Sequence, residues 1–300
     1  MNAKTIGYVG LGIMGLPMAK NLLDAGYPVV GHNRSREPVD ELVEYGGDGA
    51  GTPREAAAKA DVVITCLPDS ETVEEVVLGD DGVAAGLNDG EAVIDMSTIS
   101  PPVAEEVANR LAEQDVHFMD APVSGGESGA VEGTLSIMIG GDEDVVDDHD
   151  DVFETLGETI THCGEPGTGQ ITKACNQLVV SGMIEVLAEG LVFAHQAGAD
   201  PATVYDAISG GSCRGFVMDH HGSHMVEGDH EPGFYASYMY KDLSYAIEAA
   251  QEYGAPVPTA AVTHELYKST VESGHGQEKN TAVIKVLENM VGGVDVASGD

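Results

Sequence analysis

Tryptophan is absent from this 300-residue chain, and lysine and arginine together number only 13. Against them stand 51 aspartates and glutamates, so the formal net charge is −38. A field of that sign repels nucleic acid and anionic membrane surfaces, which excludes both as partners. Acidic disorder is excluded in turn, because 42% of the residues are hydrophobic and regularly patterned. The acids fall where solvent-facing positions are expected, as in the run DEDVVDDHDD over Asp142–Asp151. This pattern predicts a folded surface of halophile type. In molar salt the Debye length shrinks to about 3 Å and like charges stop repelling. With bases so scarce, Arg34, Arg36, Lys173, Arg214 and Lys241 each become candidates for a task.

Cysteine is also sparse. Cys66, Cys163, Cys175 and Cys213 form no CxxC pair and are expected to be reduced thiols. No uninterrupted apolar run reaches the roughly 18 residues of a membrane span. The start, MNAKTIGYVGLG, shows none of the regions of a signal peptide. The expectation is a cytoplasmic protein.

What the chain does have is alternation. Short apolar segments at 5–9, 28–32, Val62–Thr65, Ala92–Asp95, His117–Met119, Leu135–Ile139 and Thr159–His162 read as strands, with helical stretches between most of them. Strand and helix in turn predict a doubly wound, mostly parallel α/β sheet of Rossmann type. After about residue 165 the pattern changes. Residues 168–197 form one long proline-free helical run that Gly198 can stop. Helical runs follow near 201–209, 239–253, 258–272 and 280–290, without a convincing strand. The expected organisation is a dinucleotide-binding domain over 1–165 and an all-α substrate and oligomerisation domain over 166–300.

The first strand runs into Gly10-Leu11-Gly12-Ile13-Met14-Gly15. In a G-x-G-x-x-G turn one glycine allows the tight bend. The next lets backbone approach a pyrophosphate, and the last lets helix and strand pack closely. The helix N-terminus then offers unpaired N–H groups to the phosphates. After the second strand, NAD sites usually carry an acid for the ribose 2′-hydroxyl. Here stand Asn33, Arg34, Ser35 and Arg36. Arginines and a hydroxyl suit a 2′-phosphate, so NADP is expected, with NAD possible.

Four segments resemble the β-hydroxyacid dehydrogenase family, which includes 3-hydroxyisobutyrate dehydrogenases and tartronate semialdehyde reductases. They are Val9–Asn21 (VGLGIMGLPMAKN), Asp120–Leu135 (DAPVSGGESGAVEGTL), Gly167–Gln177 (GTGQITKACNQ) and Lys241–Leu243 (KDL). The resemblance implies a reversible hydride transfer between a nicotinamide and a small 3-hydroxy acid or its semialdehyde. It implies that Ser124, Gly125 and Gly126 bind the substrate carboxylate. A Ser-Gly-Gly turn offers a hydroxyl and exposed N–H groups, an anion-binding concavity. It implies that Lys173 is the catalytic acid/base. Burial makes a lysine release its proton more readily, which suits proton transfer. Asn176 lies three residues on, placed to orient the substrate hydroxyl. Leu67, Pro68 and Thr98 end strands at the carboxyl edge of the sheet and border the cofactor by the same resemblance. Phe234 and Lys241 close over it from the helical domain, and Asp242 is expected to pair with a neighbouring base. Asn176-Gln177 and the Gly274–Gly276 segment GHG resemble the tartronate semialdehyde reductase branch.

His220, His221, His224 and His230 lack the accompanying acid of a zinc motif, so a solvated polar segment is expected and no metal. Arg214, in GGSCRGF, is expected to reach the substrate mouth. Two rival readings are a decarboxylating 6-phosphogluconate-type dehydrogenase and a non-catalytic NADP-binding module. The first would want more bases in the helical domain, and the second would lack Lys173. Hydrophobic helices in a small second domain predict a homodimer or homotetramer.

Overall fold

A computed structural model describes residues 4–231 and 233–298. The chain forms two compact units, Met1–Lys173 and Ala174–Asp300. The boundary lies within one long helix.

The first unit is built on a sheet. Its strands are β1 (Ile6–Val9), β2 (Val29–His32), β3 (Asp48–Gly49), β4 (Val62–Thr65), β5 (Ala92–Asp95), β6 (His117–Asp120), β7 (Val123–Ser124), β8 (Leu135–Gly140) and β9 (Gly157–Gly164). The order is β3-β2-β1-β4-β5-β6-β8-β7, with β9 also on β8. From β3 to β6 every pairing is parallel. The pairings of β8 with β6 and β7 are antiparallel. This is the doubly wound arrangement expected. The two-residue strands β3 and β7 were not expected, because two residues are too few to show a period.

The parallel strands are apolar on both sides because both faces are covered. Along β1, Ile6 and Tyr8 enter one core cluster while Val9 enters the other. In β4, Val62 and Ile64 face the first and Val63 the second. The helix Gly15–Asp24 lays Met18, Ala19 and Leu22 on the first face. The helix Pro101–Ala112 lays Ala104, Val107 and Leu111 on the second. Each fully buried Val, Leu, Ile or Met side chain among them contributes about 1.5–3 kcal/mol.

The second unit is helical, with one isolated bridge between Tyr235 and Lys279 among its described residues. Its core includes Ile184, Ala188 and Leu191 from the long helix with Leu243, Tyr267 and Ile284. That helix runs Thr168–Gln196, and Gly198, at φ +78°, stops it as expected. By length and composition it could cross a membrane, with a mean hydropathy of 1.6 over its best 18 residues. No uninterrupted apolar run of that length is present, because Lys173, Asn176, Gln177, Ser181, Glu185 and Glu189 interrupt it, and mean hydropathy tolerates such interspersed polar residues. Glu185 on this helix is nevertheless buried in the protein, as a core helix permits. The segment of the clustered histidines is also corrected. Val217–Gly222 forms a π-helical turn followed by the helix Ser223–Glu227, and His221 is buried.

Candidate active site

The glycine loop follows β1 directly. Gly10 takes φ +102°, and a Cβ there would meet the carbonyl oxygen of Cys66 at 2.2 Å. A Cβ on Gly15 would meet the Gly10 carbonyl oxygen at 1.9 Å. A Cβ on Gly12 would meet nothing within 4 Å. Gly10 and Gly15 therefore let the turn and helix close up, and Gly12 leaves the open backbone a pyrophosphate needs. The helix Gly15–Asp24 begins without a side-chain cap and without an acid in its first turn. Its N-terminal N–H groups remain for an anion. Leu11 is buried, Ile13 and Gly12 are exposed, and Met14 is half-buried. These features fit a bound nicotinamide dinucleotide.

Asn33 ties this loop to the next. Its Oδ1 accepts from the Leu11 N–H at 3.1 Å, and its Nδ2 donates to Ser35 Oγ at 2.8 Å. The two arginines differ. Arg36 pairs with Asp40 one turn on, at 2.7 Å. Arg34 is exposed and has no carboxylate partner among the described residues.

Beyond β4 and β5 a buried polar network holds the next loops. Asp95 Oδ1 accepts from Thr65 Oγ1 at 2.7 Å and from Ser97 Oγ at 2.5 Å. Ser97 Oγ accepts from the Leu67 N–H at 2.8 Å. Leu67, exposed Pro68 and half-buried Thr98 thus lie on two loops joined by the Asp95–Ser97 pair. A sequence scan for exposed chemistry passes over Asp95, whose partners lie up to thirty residues away in the chain.

Ser124 ends β7, and Gly125 and Gly126 follow it. Both glycines have positive φ, +141° and +65°, a backbone that L side chains rarely adopt. Lys173 is 5% exposed, and its Nζ donates to the Val123 carbonyl at 2.8 Å. The structure therefore brings the ammonium to the residue before Ser124, across 50 positions of chain.

Asp120 ends β6. Its Oδ1 accepts from the Gly167 N–H and its Oδ2 from the Gln170 N–H, each at 2.7 Å. Burial pushes its carboxyl up to about 7, with Asp95 adding to the rise while these N–H groups oppose it. It begins the segment Asp120–Leu135, but nothing local shows that it caps a helix 47 residues away.

In the second unit Asn176 Nδ2 donates to Gln177 Oε1 at 2.8 Å. Gln177 Nε2 donates to buried Asp242 at 2.7 Å, and Lys241 pairs with the same acid at 3.2 Å. A polar chain thus runs from Asn176 to Lys241. Phe234 is half-buried and meets Tyr238 edge-on, with centroids 6.1 Å apart. Arg214 is exposed. The ring of His224 lies between Asp229, 2.8 Å from Nδ1, and the Lys279 ammonium, 3.0 Å from Nε2. Among the described residues no three His, Cys, Asp or Glu side chains are grouped to hold a metal.

A sheet ordered 3-2-1-4-5-6 from its first edge, a glycine loop after β1 and a helical second unit define a nicotinamide-dependent oxidoreductase. Comparison with known proteins gives the particular family. Residues 5–164 match the NAD binding domain of 6-phosphogluconate dehydrogenase, and residues 167–287 match the NAD-binding domain of NADP-dependent 3-hydroxyisobutyrate dehydrogenase. The chain is 40% identical to the 2-hydroxy-3-oxopropionate reductase of Escherichia coli strain K12 over 95% of its length and 97% of that protein's. A solved 3-hydroxyisobutyrate dehydrogenase from Mycobacterium tuberculosis, described with L-serine, is 33% identical, with a TM-score of 0.88 over 95% of this chain and 99% of that one. The Salmonella typhimurium 3-hydroxyisobutyrate dehydrogenase ygbJ is 29% identical, with a TM-score of 0.84 over 94% of this chain and 99% of that one. The chain belongs to the β-hydroxyacid dehydrogenase family and is an NAD(P)-dependent hydroxy acid dehydrogenase.

Proposed function

We propose that this enzyme interconverts a small 3-hydroxy acid and its semialdehyde, with Lys173 as the acid/base. The observation that carries this is the Lys173 Nζ held 2.8 Å from the Val123 carbonyl, beside the Ser124-Gly125-Gly126 turn. The turn takes the substrate carboxylate through the Ser124 hydroxyl and backbone N–H groups. The bound cofactor supplies or accepts hydride at the carbon. Lys173 donates a proton to the carbonyl oxygen in reduction and removes it from the hydroxyl in oxidation. Its ammonium also stabilises charge developing on that oxygen. Asn176, three residues on along the same helix, orients the hydroxyl. Gly10–Met14, Asn33–Ser35, Leu67, Pro68 and Thr98 bind the cofactor, and the family resemblance assigns Phe234 and Lys241 to it as well.

Free Arg34 supports NADP over NAD. Asn176-Gln177 and the 40% identity to a 2-hydroxy-3-oxopropionate reductase support a polar three-carbon semialdehyde as substrate. The second unit matches the 3-hydroxyisobutyrate type, which favours a simple hydroxy acid over a phosphorylated sugar acid. We infer also that a second copy of the chain associates through the long helix. Val179, Met183, Val186 and Phe193 form an exposed apolar stripe along it, with Phe193 74% exposed. The charge of −38 suits molar salt.

Lys173→Ala is expected to bind NADPH almost normally and to lose turnover by at least about 100-fold, the scale of general acid/base catalysis. Steady-state rates with 2-hydroxy-3-oxopropionate and 3-hydroxyisobutyrate in molar KCl test this. Near-normal turnover of the variant would end the assignment.

A further inference from the structure

The first turn of the helix carrying Lys173 is held by two buried polar side chains, Asp120 and Gln170. The Asp120 carboxylate takes the Gly167 and Gln170 N–H groups, both at 2.7 Å. The Gln170 side chain, fully buried, accepts from the Ile99 N–H at 3.1 Å and donates to the Ser97 carbonyl at 2.8 Å. Those two residues flank Thr98, and Ser97 in turn holds Leu67 and Asp95. Space is shaped around the carboxylate as well. A Cβ on Gly140 would meet Asp120 Oδ1 at 2.4 Å, and one on Gly169 would meet Oδ2 at 2.8 Å.

A buried amide that only stabilised the fold could make its two bonds within its own helix or to the nearest strand. Gln170 instead spends both on the loop that borders the cofactor, 71 and 73 residues away. Lys173 follows by three residues, so it rides on the turn that Gln170 anchors.

We propose that Gln170 is a positioning residue that locks the Ser97–Ile99 loop to the helix start, and so fixes Lys173 Nζ at the Ser124 turn. This rests on the reading of Lys173 as the acid/base. Gln170→Leu has a similar size, lacks both bonds, and leaves the Ser97 carbonyl and Ile99 N–H buried without partners. The helix start is then free to shift. A displacement near 1 Å can cost on the order of 100-fold in rate.

A double-mutant cycle tests the lock, because residues acting through one another are not additive. In the wild-type background Gln170→Leu is expected to lower kcat by at least about 10-fold. In the Lys173→Ala background it is expected to lower kcat by less than about 2-fold, since no lysine remains to misplace. A second readout needs no turnover. Amide hydrogen exchange of the cofactor-free protein should speed up in both 97–99 and 167–173 in Gln170→Leu, but not in Lys173→Ala. An equal loss of kcat in both backgrounds, or unchanged exchange at 97–99, overturns the lock and leaves the lysine assignment standing. Near-normal turnover of Lys173→Ala overturns the lysine assignment, and the lock falls with it. If Gln170→Leu does not fold, Gln170→Glu enters the same cycle. It keeps an acceptor for Ile99 and loses the donor to Ser97.

Discussion

Arg34 and Arg36 are nearly equivalent in sequence, yet their surroundings separate them. Arg36 stands at the start of the helix Glu37–Tyr45 and meets Asp40 on the next turn. Arg34 lies on the turn that Asn33 braces against the glycine loop, and the proposed reading gives its guanidinium to a 2′-phosphate. Arg34→Ala is expected to raise the Kd for NADPH about tenfold, roughly 1.4 kcal/mol, and to leave that for NADH unchanged. Arg36→Ala should change neither by more than about twofold, as befits an exposed ion pair. Fluorescence titration of both variants with both cofactors, at one fixed salt concentration, decides between them.

At the scale of the element, the long helix carries a buried acid of its own. Glu185 is pushed up to about 7, by burial first and then by Glu189 one turn on. Tyr267 is buried near it, and its hydroxyl is raised by burial and by Glu185. A carboxyl raised in the folded state contributes stability that is complete below its ordinary value of 4.5 and is lost as pH rises through about 7. Glu185→Gln cannot ionise. Thermal melts should therefore show the variant gaining on the wild type between about pH 5 and pH 8, with the gap growing as pH rises. A constant gap across that range would mean that Glu185 does not titrate there.

At the scale of the whole molecule, charge and apolar surface act against each other. Self-repulsion at −38 opposes association, and molar salt screens it to within about 3 Å. The stripe of Val179, Met183, Val186 and Phe193 can then be buried by a second copy. Phe193→Asp combined with Val186→Asp is expected to shift the protein to monomer in molar KCl. Light scattering on the eluting peak measures this, and an unchanged mass would remove the long helix from the interface.

Much of this protein was determined by sequence alone, for a physical reason: local patterns record local structure. Alternating apolar segments marked seven strands, and the glycine spacing marked the turn after β1. The scarcity of bases drew attention to Arg34 and Lys173. What the tertiary structure decided was every relation between residues far apart in the chain. The ammonium of Lys173 reaches Val123, Asp120 caps a helix that begins in another segment, and Gln170 grips the loop at Thr98. Such buried hydrogen bonds leave no period in the sequence, because an acid or amide satisfies partners wherever the fold delivers them. The candidate site residues were therefore legible as types, while the network that holds them in place was not.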